Sequence, residues 1–131
     1  MVSKAENPFN ALEKTFHEPN RLAIMSAVCG GGADGVTFNE IKDACDLTDG
    51  NLSRHLKTLE DAGMVRIRKD FVGVKPRTTV YPTDPGLAGF IEYLNTLEEV
   101  LETAARAAAG QKKRAGKKAA LPRLNVRPAQ T

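Results

Sequence analysis

Thr48-Asp49-Gly50-Asn51-Leu52-Ser53-Arg54-His55-Leu56-Lys57-Thr58-Leu59-Glu60-Asp61-Ala62-Gly63 is the stretch on which the reading of the chain turns. Leu52, Leu56 and Leu59 fall at i, i+4 and i+7, so they share one helical face that must be buried. At about 100° per residue, Arg54, Lys57 and Asp61 point away from that face, with Asn51, Ser53 and Thr58 on its flanks. His55 leans toward the buried side and reads as a packed structural residue. Thr48 can accept from the free backbone N–H groups of the first turn, and Gly63 can stop the helix in a left-handed conformation. The spacing predicts a helix over residues 49–62.

Immediately before it, Thr37-Phe38-Asn39-Glu40 has the form of a capping box, in which the Thr hydroxyl and the Glu carboxylate satisfy each other's backbone N–H. A short helix follows, burying Ile41, Ala44 and Cys45, and ends near Asp46-Leu47. Helix, three-residue break, helix is the spacing of a helix-turn-helix. Further upstream, Leu22, Ile24, Met25 and Val28 predict a helix over 20–29, ended by Gly30-Gly31-Gly32. Phe9, Leu12 and Phe16 predict another over 8–17, with Pro8 at its first position.

Downstream of Gly63 the period changes from 3.6 to two. Val65, Ile67, Lys69 and Phe71 alternate with Met64, Arg66, Arg68 and Asp70, and residues 78–82 are rich in strand formers. With 73–77 as the turn, this is a hairpin whose tip carries Lys75 and Arg77. Asp84 then caps a last helix, with Pro85 at its first position, running to about Ala109. Phe90, Leu94, Leu97, Leu101, Ala104 and Ala108 repeat at alternating spacings of four and three, a coiled-coil seam. A helix this long leaves Leu97, Leu101 and Ala104 exposed in a monomer. The expectation is therefore a homodimer joined through Phe90, Leu94, Leu97, Leu101 and Ala104, aided by Phe9, Leu12 and Phe16. The expected fold is mainly α with a small β-hairpin, one domain over 8–109 with its dimerisation helix at 84–109, and a disordered basic tail over 110–131.

Charge is distributed unevenly over the 131 residues, whose net charge is +3. All sixteen acidic residues precede Gly110, alongside twelve of the nineteen cations, so the body is acidic by four charges and the tail carries seven cations. A basic tail suits a polyanionic partner, or merely a solvated surface. Binding to nucleic acid by the body must then come from local placement. The exposed side of the 49–62 helix offers Asn51, Ser53, Arg54, Lys57 and Thr58 behind Thr48. Arg can bind guanine with two hydrogen bonds and Asn can do so with adenine, while Ser and Lys reach phosphates. Gly50 leaves room for close approach near the helix start. The hairpin adds Arg66, Arg68, Lys69, Lys75 and Arg77 against the single acid Asp70.

At these residues the chain resembles the winged helix-turn-helix regulators related to the MarR and ArsR groups. The resemblance covers 20–101 and is carried by Asn20-Arg21-Leu22-Ala23-Ile24-Met25, Val36-Thr37-Phe38-Asn39-Glu40-Ile41-Lys42, the stretch from Leu47 to Gly63, and Lys75-Pro76-Arg77-Thr78-Thr79-Val80-Tyr81. It implies that the 48–62 helix is the recognition helix, that the 65–81 hairpin is the wing, and that a homodimer sits on palindromic double-stranded DNA as a transcriptional regulator. The expected DNA-binding residues are Thr48, Asn51, Ser53, Arg54, Lys57, Thr58, Arg68, Lys69, Lys75 and Arg77. One departure stands out: such proteins often continue Thr-Pro-Glu-Gly-Arg after the wing, where this chain has Thr83-Asp84-Pro85-Gly86-Leu87. A winged-helix protein-interaction module and a nonspecific architectural DNA binder driven by the tail are the competing readings.

Other chemistry finds little support. Cys29 and Cys45 stand 16 residues apart without a CxxC or a neighbouring His, so no metal and no cofactor are expected, and both read as buried thiols. No Ser/His/Asp set, phosphate loop or carboxylate pair suggests an enzyme, and no pattern identifies a small-molecule effector. No stretch approaches the apolar length of a membrane span, and residues 1–8 lack a secretory signal, so the expected location is the cytoplasm.

Overall fold

The structure, a computed structural model, describes residues 13–115, with side chains as far as Gln111. In order it contains α1 (Pro19–Cys29), β1 (Val36–Thr37), α2 (Phe38–Cys45), α3 (Asp49–Asp61), β2 (Val65–Val72), β3 (Lys75–Pro82) and α4 (Asp84–Ala115). Of the described residues, 13–94 belong to one compact unit and 95–115, as helix, to a second.

Capping chemistry sets the helix boundaries much as the sequence indicates. Thr37 Oγ1 accepts from Glu40 N at 3.1 Å while Glu40 Oε1 accepts from Thr37 N at 2.9 Å, completing the capping box of α2. Asp46 ends α2 at φ 55°, a left-handed conformation that Asp tolerates better than most residues. Thr48 Oγ1 accepts from Asn51 N at 3.2 Å at the head of α3. At its tail, Gly63 N donates to Glu60 O and Met64 N to Leu59 O, the paired bonds of a Schellman motif, with Gly63 at φ 78°.

The sheet is three-stranded and antiparallel in the order β1-β3-β2. Strand β1 is two residues long, too short to show an alternating pattern, so the sequence yields only the two-stranded hairpin. The hairpin is also longer than expected. Val72 pairs with Lys75, leaving only Gly73 and Val74 in the turn. Gly73 takes φ 64° at the first turn position, where a type II′ turn favours glycine. Pro76, read as part of the turn, instead lies on β3 opposite Phe71. It is tolerated because β1 pairs only with Thr79 and Val80, so β3 has an open edge at Pro76 and no ladder N–H is missed there.

The core of the first unit joins Ile24, Met25 and Val28 of α1, Ile41 of α2, Leu52, Leu56 and Leu59 of α3, and Val65 and Val80 of the sheet. Phe16 completes it with Phe90 and Tyr93 of α4: the Phe16 ring meets Phe90 edge-on at 5.3 Å and Tyr93 at 5.7 Å. This cluster alters two expectations. Phe90, expected on the dimer seam, and Phe16, expected beside it, are both buried within the protomer. Residues 14–16 form a turn rather than the end of a helix, and Phe9, Leu12 and the rest of that expected helix lie outside the described residues. His17, expected at a helix end, instead places Nδ1 2.9 Å from the Tyr93 hydroxyl.

The cap of helix α4 lies one residue earlier than expected, so Asp84 is its first helical residue. Thr83 does the capping: its hydroxyl accepts from Gly86 N at 2.9 Å and donates to Gly63 O at 2.6 Å. One hydroxyl thus fastens the end of α3 to the start of α4. Gly86 lies so close to Met64 that a Cβ there would collide with the Met64 carbonyl oxygen. At its other end α4 continues past Gly110 to Ala115. A glycine is only about 1 kcal/mol worse than alanine in a helix, and the surrounding Ala, Gln, Lys and Arg are good formers. The remainder of the expected disordered tail, 116–131, lies outside the described residues.

Candidate nucleic-acid interface

Helix α3 buries Leu52, Leu56 and Leu59 and turns Asn51, Ser53, Arg54, Lys57 and Thr58 outward, as its periodicity requires. These side chains are not independent. Arg54 Nη2 donates to Asn51 Oδ1 at 2.6 Å, and the Thr58 hydroxyl donates to Arg54 O at 3.3 Å. Lys57 Nζ lies 3.3 Å from Asp61 Oδ1, an exposed i,i+4 pair that holds the amine only loosely. The Thr48 hydroxyl accepts the capping bond from Asn51 N. At the helix start, Asp49 is engaged by Lys42 of α2 at 2.8 Å, and that contact holds the Lys42 amine above its ordinary pKa.

The inner side of α3 is anchored through His55. Its Nδ1 lies 3.3 Å from Arg21 Nη1, and a guanidinium only donates, so this ring nitrogen accepts. Arg21 also donates from Nε to Thr15 O at 2.7 Å, and Glu18 Oε1 caps α1 by accepting from Arg21 N at 2.8 Å. The recognition-helix candidate is thus tied to α1 by a polar contact as well as by leucines.

Strand alternation divides the hairpin cations between two faces. Residues opposite one another share a face, so Val65, Ile67, Lys69 and Phe71 go with Pro82, Val80, Thr78 and Pro76. Arg66, Arg68, Asp70 and Val72 go with Tyr81, Thr79, Arg77 and Lys75. The first face turns toward α3: Lys69 and Thr78 line an open groove of about 340 Å³ together with Ser53, Lys57 and Glu60, over Phe38, Leu56 and Ile67. The second face is engaged within the hairpin. The Arg66 and Arg68 guanidinium carbons lie 4.4 and 5.7 Å from the centre of the Tyr81 ring. Arg77 donates to both Asp70 oxygens, at 3.2 and 3.1 Å, and Arg68 reaches Asp70 at 3.5 Å. Hydrogen bonding from Arg77 holds the Asp70 carboxyl below its usual range.

Of the expected DNA-binding residues, then, Ser53, Lys57 and Lys69 share one groove, and Asn51 and Arg54 form a bonded pair on the outer face of α3. Arg68 and Arg77 are directed to the other hairpin face and paired with Asp70, and Lys75 is on that face too. The longer strands also change the tip. Beside the exposed Lys75, Pro76 and Arg77, the large apolar side chains exposed around the turn are Phe71, Val72 and Val74, which the sequence reading did not single out. Recognising Gly73-Val74 as a two-residue turn would have found them.

Among the described residues no group of three or more His, Cys, Asp or Glu side chains is arranged to hold a metal ion. No described helix is long and apolar enough to cross a membrane.

Comparison with known proteins finds the same fold. A family model described as a winged helix DNA-binding domain matches residues 20–101. An uncharacterized protein of Methanocaldococcus jannaschii is 33% identical over 81 residues, covering 62% of this chain and 86% of that protein. Among solved structures, a transcriptional regulator homologue from Pyrococcus horikoshii OT3 superposes with a TM-score of 0.65 at 28% identity, covering 79% of this chain and 98% of the other. The MepR–DNA complex of S. aureus shares the fold at 19% identity, with a TM-score of 0.59 over 84% of this chain and 86% of that one. With its helix-turn-helix, three-stranded sheet and capped α3 in the matched segment, the chain belongs to the winged helix DNA-binding domain family.

Proposed function

We propose that this protein is a sequence-specific transcriptional regulator that binds double-stranded DNA as a homodimer. Helix α3 enters the major groove, and the hairpin lies over the flanking backbone or minor groove. The observation that carries this reading is the shared groove of α3 and the hairpin, where Ser53, Lys57, Lys69 and Thr78 converge beside the exposed Asn51–Arg54 pair. A groove with two amines and two hydroxyls against the single carboxylate of Glu60 keeps a net positive charge that suits a phosphodiester strand, and the adjacent pair suits base edges. The family match and the DNA complex of a protein with the same fold support it.

The homodimer reading rests on α4. Leu87, Ile91 and Leu94 fall at i, i+4 and i+7 and are exposed, as is Leu101 farther along. A second copy of this chain would cover that stripe, with Leu97 and Ala104 beside it, and Phe90 supports it from within. Paired α4 helices would set two α3 helices on successive major grooves, about 34 Å apart.

Selection of bound sequences from a random duplex pool tests the reading. Enrichment of a palindrome is expected. Enrichment of nothing favours a nonspecific binder or a protein-interaction module, and a monomer in light scattering at micromolar concentration overturns the dimer.

A further inference from the structure

The far end of the hairpin carries three large apolar side chains exposed to solvent. Phe71, Val72 and Val74 are 68%, 54% and 91% exposed. Phe71 lies on the α3-facing side of the hairpin and Val72 on the other, with Val74 in the turn between the strands; large apolar side chains exposed at the end of a protruding element mark a contact surface. Phe71 lies two residues beyond Lys69 on the same strand face, and Lys69 lines the groove with Ser53 and Lys57. The apolar tip therefore prolongs the surface on which the candidate phosphate-binding groove lies. At about 3.3 Å per residue, the end of β2 is roughly 23 Å along the strand from Val65 in the core. Lys69 and Lys75 bracket the tip in sequence.

We propose that Phe71 and Val74 form an apolar wedge that enters the DNA minor groove beside the α3 site, with Lys69 on the neighbouring phosphate. This rests on the DNA-binding reading above and names the residues and the chemistry of its second contact. The minor groove is narrow, about 6 Å across, so a two-residue turn can enter where a helix cannot. Apolar side chains inserted there partly unstack a base step and bend the duplex, most readily at flexible pyrimidine–purine steps. A second copy of the chain is a poorer occupant. Three side chains fall far short of the roughly 800 Å² per partner that a stable protein interface buries. The wedge also explains how the hairpin engages DNA although Arg68 and Arg77 are paired with Asp70.

The test compares the full chain with a Phe71→Ser/Val74→Ser variant on the duplex that the wild-type chain selects from a random pool. Both positions are exposed, and thermal melting followed by circular dichroism verifies that the variant is folded. Binding is measured by fluorescence anisotropy across a salt series. The variant is expected to bind about tenfold or more weakly at every salt concentration, the scale of losing one large buried apolar group. Its log–log salt slope stays parallel to wild type, because no cation is removed. A 2-aminopurine at the flanking step is expected to brighten with wild type and not with the variant. Equal affinity of the two proteins overturns the wedge while leaving the DNA reading intact. Loss of binding to phosphatidylglycerol vesicles with DNA affinity unchanged likewise overturns it, in favour of a membrane contact. If the wild-type chain selects no duplex at all, the DNA reading itself falls and the wedge with it.

Discussion

The Arg54 guanidinium donates to the Asn51 carboxamide oxygen across 2.6 Å on the exposed face of α3. The bond joins the two residue types best suited to reading purine edges and restricts the guanidinium before any DNA arrives. Arg54→Ala should weaken binding to the selected duplex by about 1–3 kcal/mol and relax preference at one base position. Asn51→Ala removes the orienting bond but keeps the cation. It should therefore blur base preference while leaving the salt slope in place. Repeating the selection with each variant checks both, and an unchanged motif for Asn51→Ala would show that the bond orients nothing of consequence.

The division of the hairpin into two faces predicts unequal roles for cations that look equivalent in sequence. Lys69→Ala and Lys57→Ala should each reduce the log–log salt slope of DNA binding by about 0.9, one phosphate apiece. Arg77→Ala should change it little, because its guanidinium makes two hydrogen bonds to Asp70, and Arg68→Ala should change it less than the lysine variants, because Arg68 lies on the hairpin face away from the groove. Anisotropy titrations over a salt series decide this, and a flatter slope for Arg77→Ala would place that face on DNA as well.

The same pair makes a prediction about pH. Arg77 lowers the Asp70 pKa in the folded chain. A depressed carboxyl pKa gives stability that is present above the unfolded value and is lost as pH falls through the folded one. Asp70 should thus stay ionised to a lower pH than an unpaired aspartate, and Arg77→Gln should return it toward the usual range. Carboxyl NMR titration of both proteins measures this. An identical midpoint would exclude the pairing in solution.

Two glycines should respond oppositely to alanine. Gly86→Ala drives a methyl group into the Met64 carbonyl between α3 and α4, so it should destabilise the fold by about 1–3 kcal/mol or more. Gly50→Ala meets nothing within 4 Å and sits in a helix, so it should stabilise by about 0.5–1 kcal/mol. Urea unfolding reads both. If DNA also approaches α3 closely at Gly50, the stabilised variant will bind the selected duplex more weakly.

Partial burial raises the pKa of both the Cys29 and Cys45 thiols. The thiolate is the reactive form, so both should react more slowly with iodoacetamide than glutathione does at pH 8. Mass-spectrometric alkylation kinetics test this, and a thiol faster than glutathione would indicate an activated cysteine.

Much of the architecture is set by local chemistry and is therefore legible in one dimension. The capping box at Thr37 and Glu40, the cap at Thr48, the leucines at 52, 56 and 59 and the left-handed stop at Gly63 each need only neighbours within a few residues. Those same positions determine which side of α3 is exposed, and so Asn51, Ser53, Arg54 and Lys57 follow from the sequence by itself. Register and long-range contacts do not. Whether Pro76 turns or pairs depended on how far β1 extends along β3, and the answer put Arg77 on the strand opposite Asp70 while Lys75 stayed beside a turn made of Gly73 and Val74. Likewise Phe90 fits a heptad seam, but only the position of Phe16 decides that it is core. The helix-turn-helix was fixed by periodicity and caps, which act over one or two turns. The division of the wing cations and the burial of Phe90 were decided only by tertiary structure, because they depend on partners brought together from distant parts of the chain.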